Sequence, residues 1–169
     1  FVIAAWRSQF DQLVLGAPLL GNENDDRAVM QIITADTQAC DDGETAICFM
    51  GHGSDAAANA IYSDFQQRLH RAAYRNYYIG TVEADPTLEQ LLALVRIGGN
   101  YKRVLLQPLM VVAGDHAHHD MAGEDDESWK RTFEKAGYEV TCIVKGLGEL
   151  EGIRNIYVRH VRNCIKQML

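Results

Sequence analysis

Short apolar runs of strand length alternate along this chain with amphipathic stretches of helical length, and that alternation limits the fold more than any other feature. Runs such as Ala46-Ile47-Cys48-Phe49-Met50 and Val104-Leu105-Leu106 lack the apolar–polar alternation of a strand with one wet face, so they predict strands buried on both sides. Strands are expected at 12–16, 46–51, 77–82, 103–110 and 139–144, with helices at 24–39, 55–73, 87–97, 124–136 and 149–168. The fold class that follows is α/β, an open parallel sheet with helices on both faces. At 169 residues and 47% hydrophobic content, the chain can bury one substantial core, and a single α/β domain over 1–169 accounts for all of it. The opening, Phe1-Val2-Ile3-Ala4-Ala5-Trp6, has no initiator Met, and 1–10 reads as the end of a connecting helix already under way, so an upstream part is expected.

Chemical punctuation supports these boundaries. Asp85-Pro86-Thr87 stops the third strand and starts a fresh helix, because Pro restricts the residue before it and fits a first helical turn. The acidic run from Asp120 to Asp126 reads as negative charge complementing the N-terminus of the helix that follows, and Ala136-Gly137 ends that helix. A net charge of -7 argues against nucleic acid or an anionic membrane surface as partner, and favours a cationic guest. No apolar run approaches the roughly 20 residues of a membrane span. The four cysteines, Cys40, Cys48, Cys142 and Cys164, are widely spaced, form no CxxC pair and read as buried reduced thiols.

In an open parallel sheet, ligands bind in the crevice beyond the carboxyl ends of the strands. The second predicted strand runs into Gly51-His52-Gly53-Ser54, where flanking glycines allow a sharp turn and leave the imidazole unshielded. The bland alternative is a turn histidine bonded to backbone. The third ends at Glu83, which a solvated strand end also explains. The fourth leads into Asp115-His116-Ala117-His118-His119-Asp120, where three histidines and two aspartates in six residues favour metal binding or proton transfer over packing. Together, His52, Glu83 and His116 form a set of N and O donors at successive strand ends, suited to an open site for divalent Co, Ni, Fe or Zn.

Competing chemistry is thin. The chain lacks a GxSxG elbow, a P-loop and GxGxxG. Gly146-Leu147-Gly148-Glu149 reads as a strand-to-helix loop with Glu149 in the first turn of the next helix. His70 and His160 read as exposed helix residues.

An ordered set of motifs adds a resemblance. Phe49-Met50-Gly51-His52-Gly53, Ala58-Asn59-Ala60-Ile61-Tyr62, Gly80-Thr81-Val82-Glu83, Gln107-Pro108-Leu109-Met110-Val111-Val112-Ala113-Gly114-Asp115-His116, Asp120-Met121-Ala122-Gly123, Ser128-Trp129-Lys130 and Gly146-Leu147-Gly148-Glu149 resemble the anaerobic cobalt chelatases, the CbiK family of class II tetrapyrrole chelatases, from about Leu15 to His160. The resemblance implies a ferrochelatase-like fold and a lyase that inserts Co(II) into sirohydrochlorin during anaerobic cobalamin biosynthesis, releasing two protons. Carried over by position, His52, Glu83 and His116 correspond to the family's metal-binding trio, with His52 and His116 as catalytic residues. Co(II) is then the substrate metal and no organic cofactor is expected. Two departures stand out: Ser54-Asp55-Ala56 replace the further histidines that often follow the Gly-His-Gly turn, and His119 stands where Asn is common.

Family members also have an N-terminal α/β half forming the other wall of the tetrapyrrole cleft. Gly16-Ala17-Pro18-Leu19-Leu20 resembles the start of the second half, so 1–169 reads as the C-terminal part of a longer two-domain protein, its cleft completed by the upstream half or by a second copy. The residues that bind the tetrapyrrole carboxylates are not identifiable in the sequence. Two other readings stay open: an iron or nickel chelatase on the same scaffold, and a non-catalytic metal or tetrapyrrole carrier. The expected location is cytoplasmic, with export also compatible with a sequence that lacks its initiator Met.

Overall fold

A computed structural model describes residues 2–169 and shows an all-parallel sheet of four strands in the order β2-β1-β3-β4. The strands are β1 (Thr45–Gly51), β2 (Tyr77–Thr81), β3 (Arg103–Pro108) and β4 (Glu139–Cys142). Among the described residues six α-helices accompany them: α1 (Val2–Trp6), α2 (Glu23–Thr37), α3 (Ala60–Arg71), α4 (Leu88–Gly98), α5 (Trp129–Lys135) and α6 (Glu151–Met168). The α/β class and the two helical layers match the sequence expectation.

The sheet sits between two apolar clusters, and alternate strand residues feed each one. Ile47, Phe49, Tyr77, Ile79 and Leu105 pack with Val29 and Ile33 of α2, Phe65 and Leu69 of α3, and Ile153 and Ile156 of α6. Ala46, Cys48, Met50, Tyr78, Val104 and Leu106 pack on the other side with Leu91 and Val95 of α4 and Trp129 and Phe133 of α5. Burial on both faces explains why the central strands read as continuous apolar runs. β4, at an edge, alternates between exposed and half-buried residues.

Connectivity explains the layering. The chain steps from β1 to β2 in one direction through α3, then crosses back over β1 to β3 through α4 and on to β4 through α5. Right-handed crossovers taken in opposite directions put α3 on one face and α4 and α5 on the other. The strand order therefore reverses around β1, and the loops leaving β2, β1 and β3 open side by side. A crevice forms at such a reversal.

The first predicted strand is absent. Residues 12–16 form neither helix nor strand, with Leu13 and Val14 half-buried and Leu15 and Gly16 exposed. This segment runs beside α6 instead of joining the sheet: the Ala17 carbonyl accepts a hydrogen bond from His160 Nδ1 at 3.0 Å, and Gly16 lies against the Cys164 side chain. The opening helix is shorter than expected, α1 passing into a 3-10 turn at Arg7–Gln9, and the first residue of the predicted 1–10 segment lies outside the described residues.

Both expected exposed histidines are corrected. His160 is buried, with Nε2 2.7 Å from Asp25 Oδ2. His70 is half-buried, and its Nε2 donates to the Tyr77 carbonyl at 2.7 Å. Nearby, Gln66 Oε1 accepts from the Ile79 amide at 2.7 Å. Two α3 side chains thus occupy backbone groups on the free edge of β2, a way of blunting an edge that would otherwise pair with another chain.

The acidic run before α5 is also reassigned. The helix begins at Trp129 with Ser128 as its N-cap and no acidic residue in its first turn. Glu124 pairs with Lys130 and Arg131, and Asp126 with Lys135. The Asp85-Pro86-Thr87 signal held, because Thr87 and Gln90 form a capping box at the start of α4.

All four cysteines are free, Cys48 fully buried and the others partly so. Burial raises the Cys48 and Cys142 thiols above their ordinary values, which leaves them protonated and unreactive. Among the described residues, no helix is long and apolar enough to cross a membrane.

Candidate metal site

Glu83, His52 and His116 stand beyond the carboxyl ends of β2, β1 and β3, three neighbouring strands, and the topology brings them together. Each offers one donor atom, and the three donors lie within 4.8 Å of one another. The His52 and His116 rings meet edge to face, centroids 4.9 Å apart and planes at 89°. His52 Nδ1 is 3.4 Å from Glu83 Oε2. His52 and Glu83 are exposed and His116 is half-buried, so the cluster faces an approaching ligand instead of being sealed in the core.

Local structure fixes each member. Beyond the β1–β2 ladder, the Glu83 amide donates to the His52 carbonyl at 2.9 Å, so the two loops leave the sheet paired. Asn59 adds a second tie: its Oδ1 accepts from the Ser54 amide at 3.0 Å, and its Nδ2 donates to the Asp85 carbonyl at 2.6 Å. Gly53 makes the turn after His52 at φ +91°, where an added Cβ would lie 2.8 Å from the Ala84 amide nitrogen. We expect Gly53→Ala to cost about 1–2 kcal/mol from the left-handed backbone alone. It should also push the Glu83 loop away from His52, so thermal melting should fall and titration with a divalent metal ion should show weaker binding.

The segment after β3 is braced from the far side. Leu147 and Gly148 amides donate to the Met110 and Val111 carbonyls at 2.8 and 2.9 Å. Gly146-Leu147-Gly148-Glu149 is therefore a support for the chain that leads to His116. Its Leu147–Glu149 portion forms a 3-10 turn, and Glu149 Oε1 accepts from the Gly146 amide at 2.8 Å. Glu149 precedes α6, which starts at Glu151, so it is not in that helix's first turn as expected.

The histidine-rich stretch, which lies between the predicted strand and helix, is a short π-helical turn, His116–Met121. Such turns are rare and recur at functional sites. Buried Ala117 and Met121 anchor it to the core. Asp120 Oδ2 hydrogen-bonds to His116 Nδ1. His118 and His119 are exposed and outside the converging trio, His119 standing 3.7 Å from Asp115 instead. Of these residues, Asn59 and Asp120 are the two whose structural work the sequence did not disclose, although the i,i+4 spacing of His116 and Asp120 was a usable signal.

Beside His52 opens an apolar groove of 660 Å³, lined in part by Pro18, Leu19, Leu20, Tyr62, Leu109 and Tyr157. The size falls within the range of about 300–1,000 Å³ usual for small-molecule sites. Of the three donors, His52 lines this groove, an arrangement that suits a ligand presenting an apolar face beside a metal ion.

The family model described as cobalt chelatase (CbiK) matches residues 2–166. Two similar proteins are a sirohydrochlorin cobaltochelatase of Salmonella typhimurium and the sirohydrochlorin cobaltochelatase CbiKC of Nitratidesulfovibrio vulgaris. The first is 38% identical over 161 residues, covering 94% of this chain and 59% of that protein. The second is 33% identical over 159 residues, covering 94% of this chain and 56% of that protein. The chain thus spans a little over half the length of these curated relatives.

Proposed function

This chain belongs to the cobalt chelatase (CbiK) family, and from that premise we propose that it takes part in inserting Co(II) into sirohydrochlorin, with His52, Glu83 and His116 as the metal ligands. The observation that carries this reading is the convergence of three donor atoms within 4.8 Å at the ends of adjacent strands. Two imidazoles and a carboxylate satisfy part of a divalent ion's coordination shell and leave positions for water or incoming nitrogen donors.

The metal is a substrate, so the site must bind it and then release it. Insertion exchanges M(II) for two pyrrole N–H protons: two N–H bonds break, metal–nitrogen bonds form, and the protons leave to bases. On this reading His52 or His116 accepts a proton as the metal departs, since an imidazole that no longer donates its lone pair to metal is free to bind one. Glu83 offsets the charge of the bound ion. The groove beside His52 receives one face of the macrocycle.

The opposite wall comes, in this account, from an upstream α/β half or from a second copy of the chain. In support, the matched segments make up only 59% and 56% of the two relatives, which leaves each room for such a half. The test is the absorbance spectrum of sirohydrochlorin with Co(II), measured with this chain alone and with the candidate upstream segment supplied. Accelerated conversion to the metallated spectrum in either arm supports chelation. Binding of the macrocycle without acceleration in both arms identifies a carrier, and faster insertion of Fe(II) or Ni(II) in competition reassigns the metal.

A further inference from the structure

His116 and Asp120 lie four residues apart in the His116–Met121 turn, whose wide winding is marked by the Ala122 amide reaching back to the Ala117 carbonyl at 3.3 Å. Ala117 and Met121 are completely buried, so the turn cannot roll without exposing them. It closes at Gly123, where an added Cβ would come within 2.2 Å of the His119 carbonyl oxygen. His116 and Asp120 remain partly exposed, their side chains 34% and 47% accessible. Glu124 and Asp126, just downstream, pair with lysine and arginine, whereas among the described residues Asp120 pairs with His116 and with no Lys or Arg.

The chemistry of this pair has a direction. An ionised carboxylate only accepts hydrogen bonds, so a neutral His116 bonded to it carries its hydrogen on Nδ1. The lone pair then resides on Nε2, the nitrogen free to meet a metal ion. Without the carboxylate, the hydrogen is free to sit on either nitrogen and the ring to turn about its own axis. Both changes reduce the fraction of molecules with a ligand correctly presented.

Resting on the reading that His52, Glu83 and His116 hold the metal, we propose that Asp120 is a positioning residue that sets the tautomer and ring orientation of His116. It does not ligate the ion. Outer partners of this kind typically contribute 10–100-fold to metal affinity. The anchored turn makes the pair rigid, which a carboxylate on a mobile loop would not.

The test titrates Co(II) alone into the wild-type chain and into Asp120→Ala, Asp120→Asn and His116→Ala, following heat and the visible ligand-field bands. Nitrogen-resolved NMR of the His116 ring in the metal-free proteins reads the tautomer directly. Asp120→Ala should weaken Co(II) binding by about 10–100-fold and mix the tautomers. Asp120→Asn should recover part of the loss, because its amide oxygen still accepts from Nδ1–H. Wild-type affinity and an unchanged tautomer in Asp120→Ala, with binding lost in His116→Ala, would overturn the role of Asp120 and leave the trio standing. Wild-type Co(II) affinity in His116→Ala would instead remove the trio itself. Asp120 is half-exposed, and matching melting curves for the variants would exclude a general loss of structure.

Discussion

On the proposed chelatase reading, replacing His116 with Ala is expected to reduce Co(II) insertion into sirohydrochlorin by more than about 100-fold, since loss of a mere outer partner already costs up to that much. The remaining His52 and Glu83 provide two donors where three converge, and a two-point site holds a partly dehydrated ion poorly. The fold should not notice. The His116 side chain is 34% accessible and sits at the outer side of a turn that Ala117 and Met121 anchor. A substitution of this kind usually falls within about 0.5 kcal/mol of wild type. In a domain of this size that is on the order of 1–2 °C in melting temperature. Initial rates of metallation with saturating macrocycle, beside a melting curve, check both halves of the expectation. Full activity in the variant would remove His116 from the mechanism.

The largest stability effect is expected outside the candidate metal site, at Asp25. This carboxylate is almost completely buried at the start of α2, where it accepts from the Asn22 side-chain amide and from His160 Nε2 at 2.7 Å, while the Asp25 backbone amide donates to Asn22 Oδ1 at 2.9 Å. Arg159 pairs with it from α6. His160 in turn holds the Ala17 carbonyl, and Pro18 and Leu19, which follow, line the apolar groove. Asp25→Ala strands a buried imidazole and frees this wall. Breaking a buried pair by removing one partner costs about 3–5 kcal/mol, so the melting temperature should fall by on the order of 10 °C.

The pH dependence follows from the direction of the Asp25 shift. Burial works to raise its pKa, but hydrogen bonds from Asn22 and His160 and the charge of Arg159 outweigh it and hold the carboxyl below its ordinary value of 3.8. A group depressed on folding stabilises the protein fully above its unfolded pKa and loses that contribution as pH falls through the folded value. The stability gap between wild type and Asp25→Ala should therefore be widest near neutrality and narrow in acid below the unfolded value of 3.8. Denaturant melts across that range measure it; a gap independent of pH would contradict the assignment.

How far the sequence anticipated the molecule depends on which force fixed each part. Strands buried on both faces leave unbroken apolar runs, and β1, β2 and β3 were found within a few residues for that reason. The segment 12–16 failed because Leu13-Val14-Leu15 resembles a strand locally, whereas its place is decided by α6, more than a hundred residues away. His160 was misread by the same logic: its neighbours Arg159 and Val161 are exposed, and nothing local reveals that Asp25 lies opposite.

At the site, His52 and Glu83 were legible because a polar donor after a buried strand must emerge at the carboxyl edge. Their convergence with His116 then follows from the strand order β2-β1-β3. The π-helical winding of His116–Met121 was not legible, since both Ala117 and Met121 are buried and Met121 packs into a core that the local sequence does not contain. Nor was the bridge that Asn59 makes between the His52 and Glu83 loops, because its two partners lie on different sides of α3 in the sequence.

The most direct measurement is anomalous diffraction at the cobalt absorption edge from crystals of this chain grown with Co(II). The account predicts a peak between His52, Glu83 and His116, with metal–nitrogen and metal–oxygen distances of about 2.0–2.2 Å, by analogy with zinc bound to the same donor types. A well-occupied cobalt peak at other residues, with none at this trio, would contradict it.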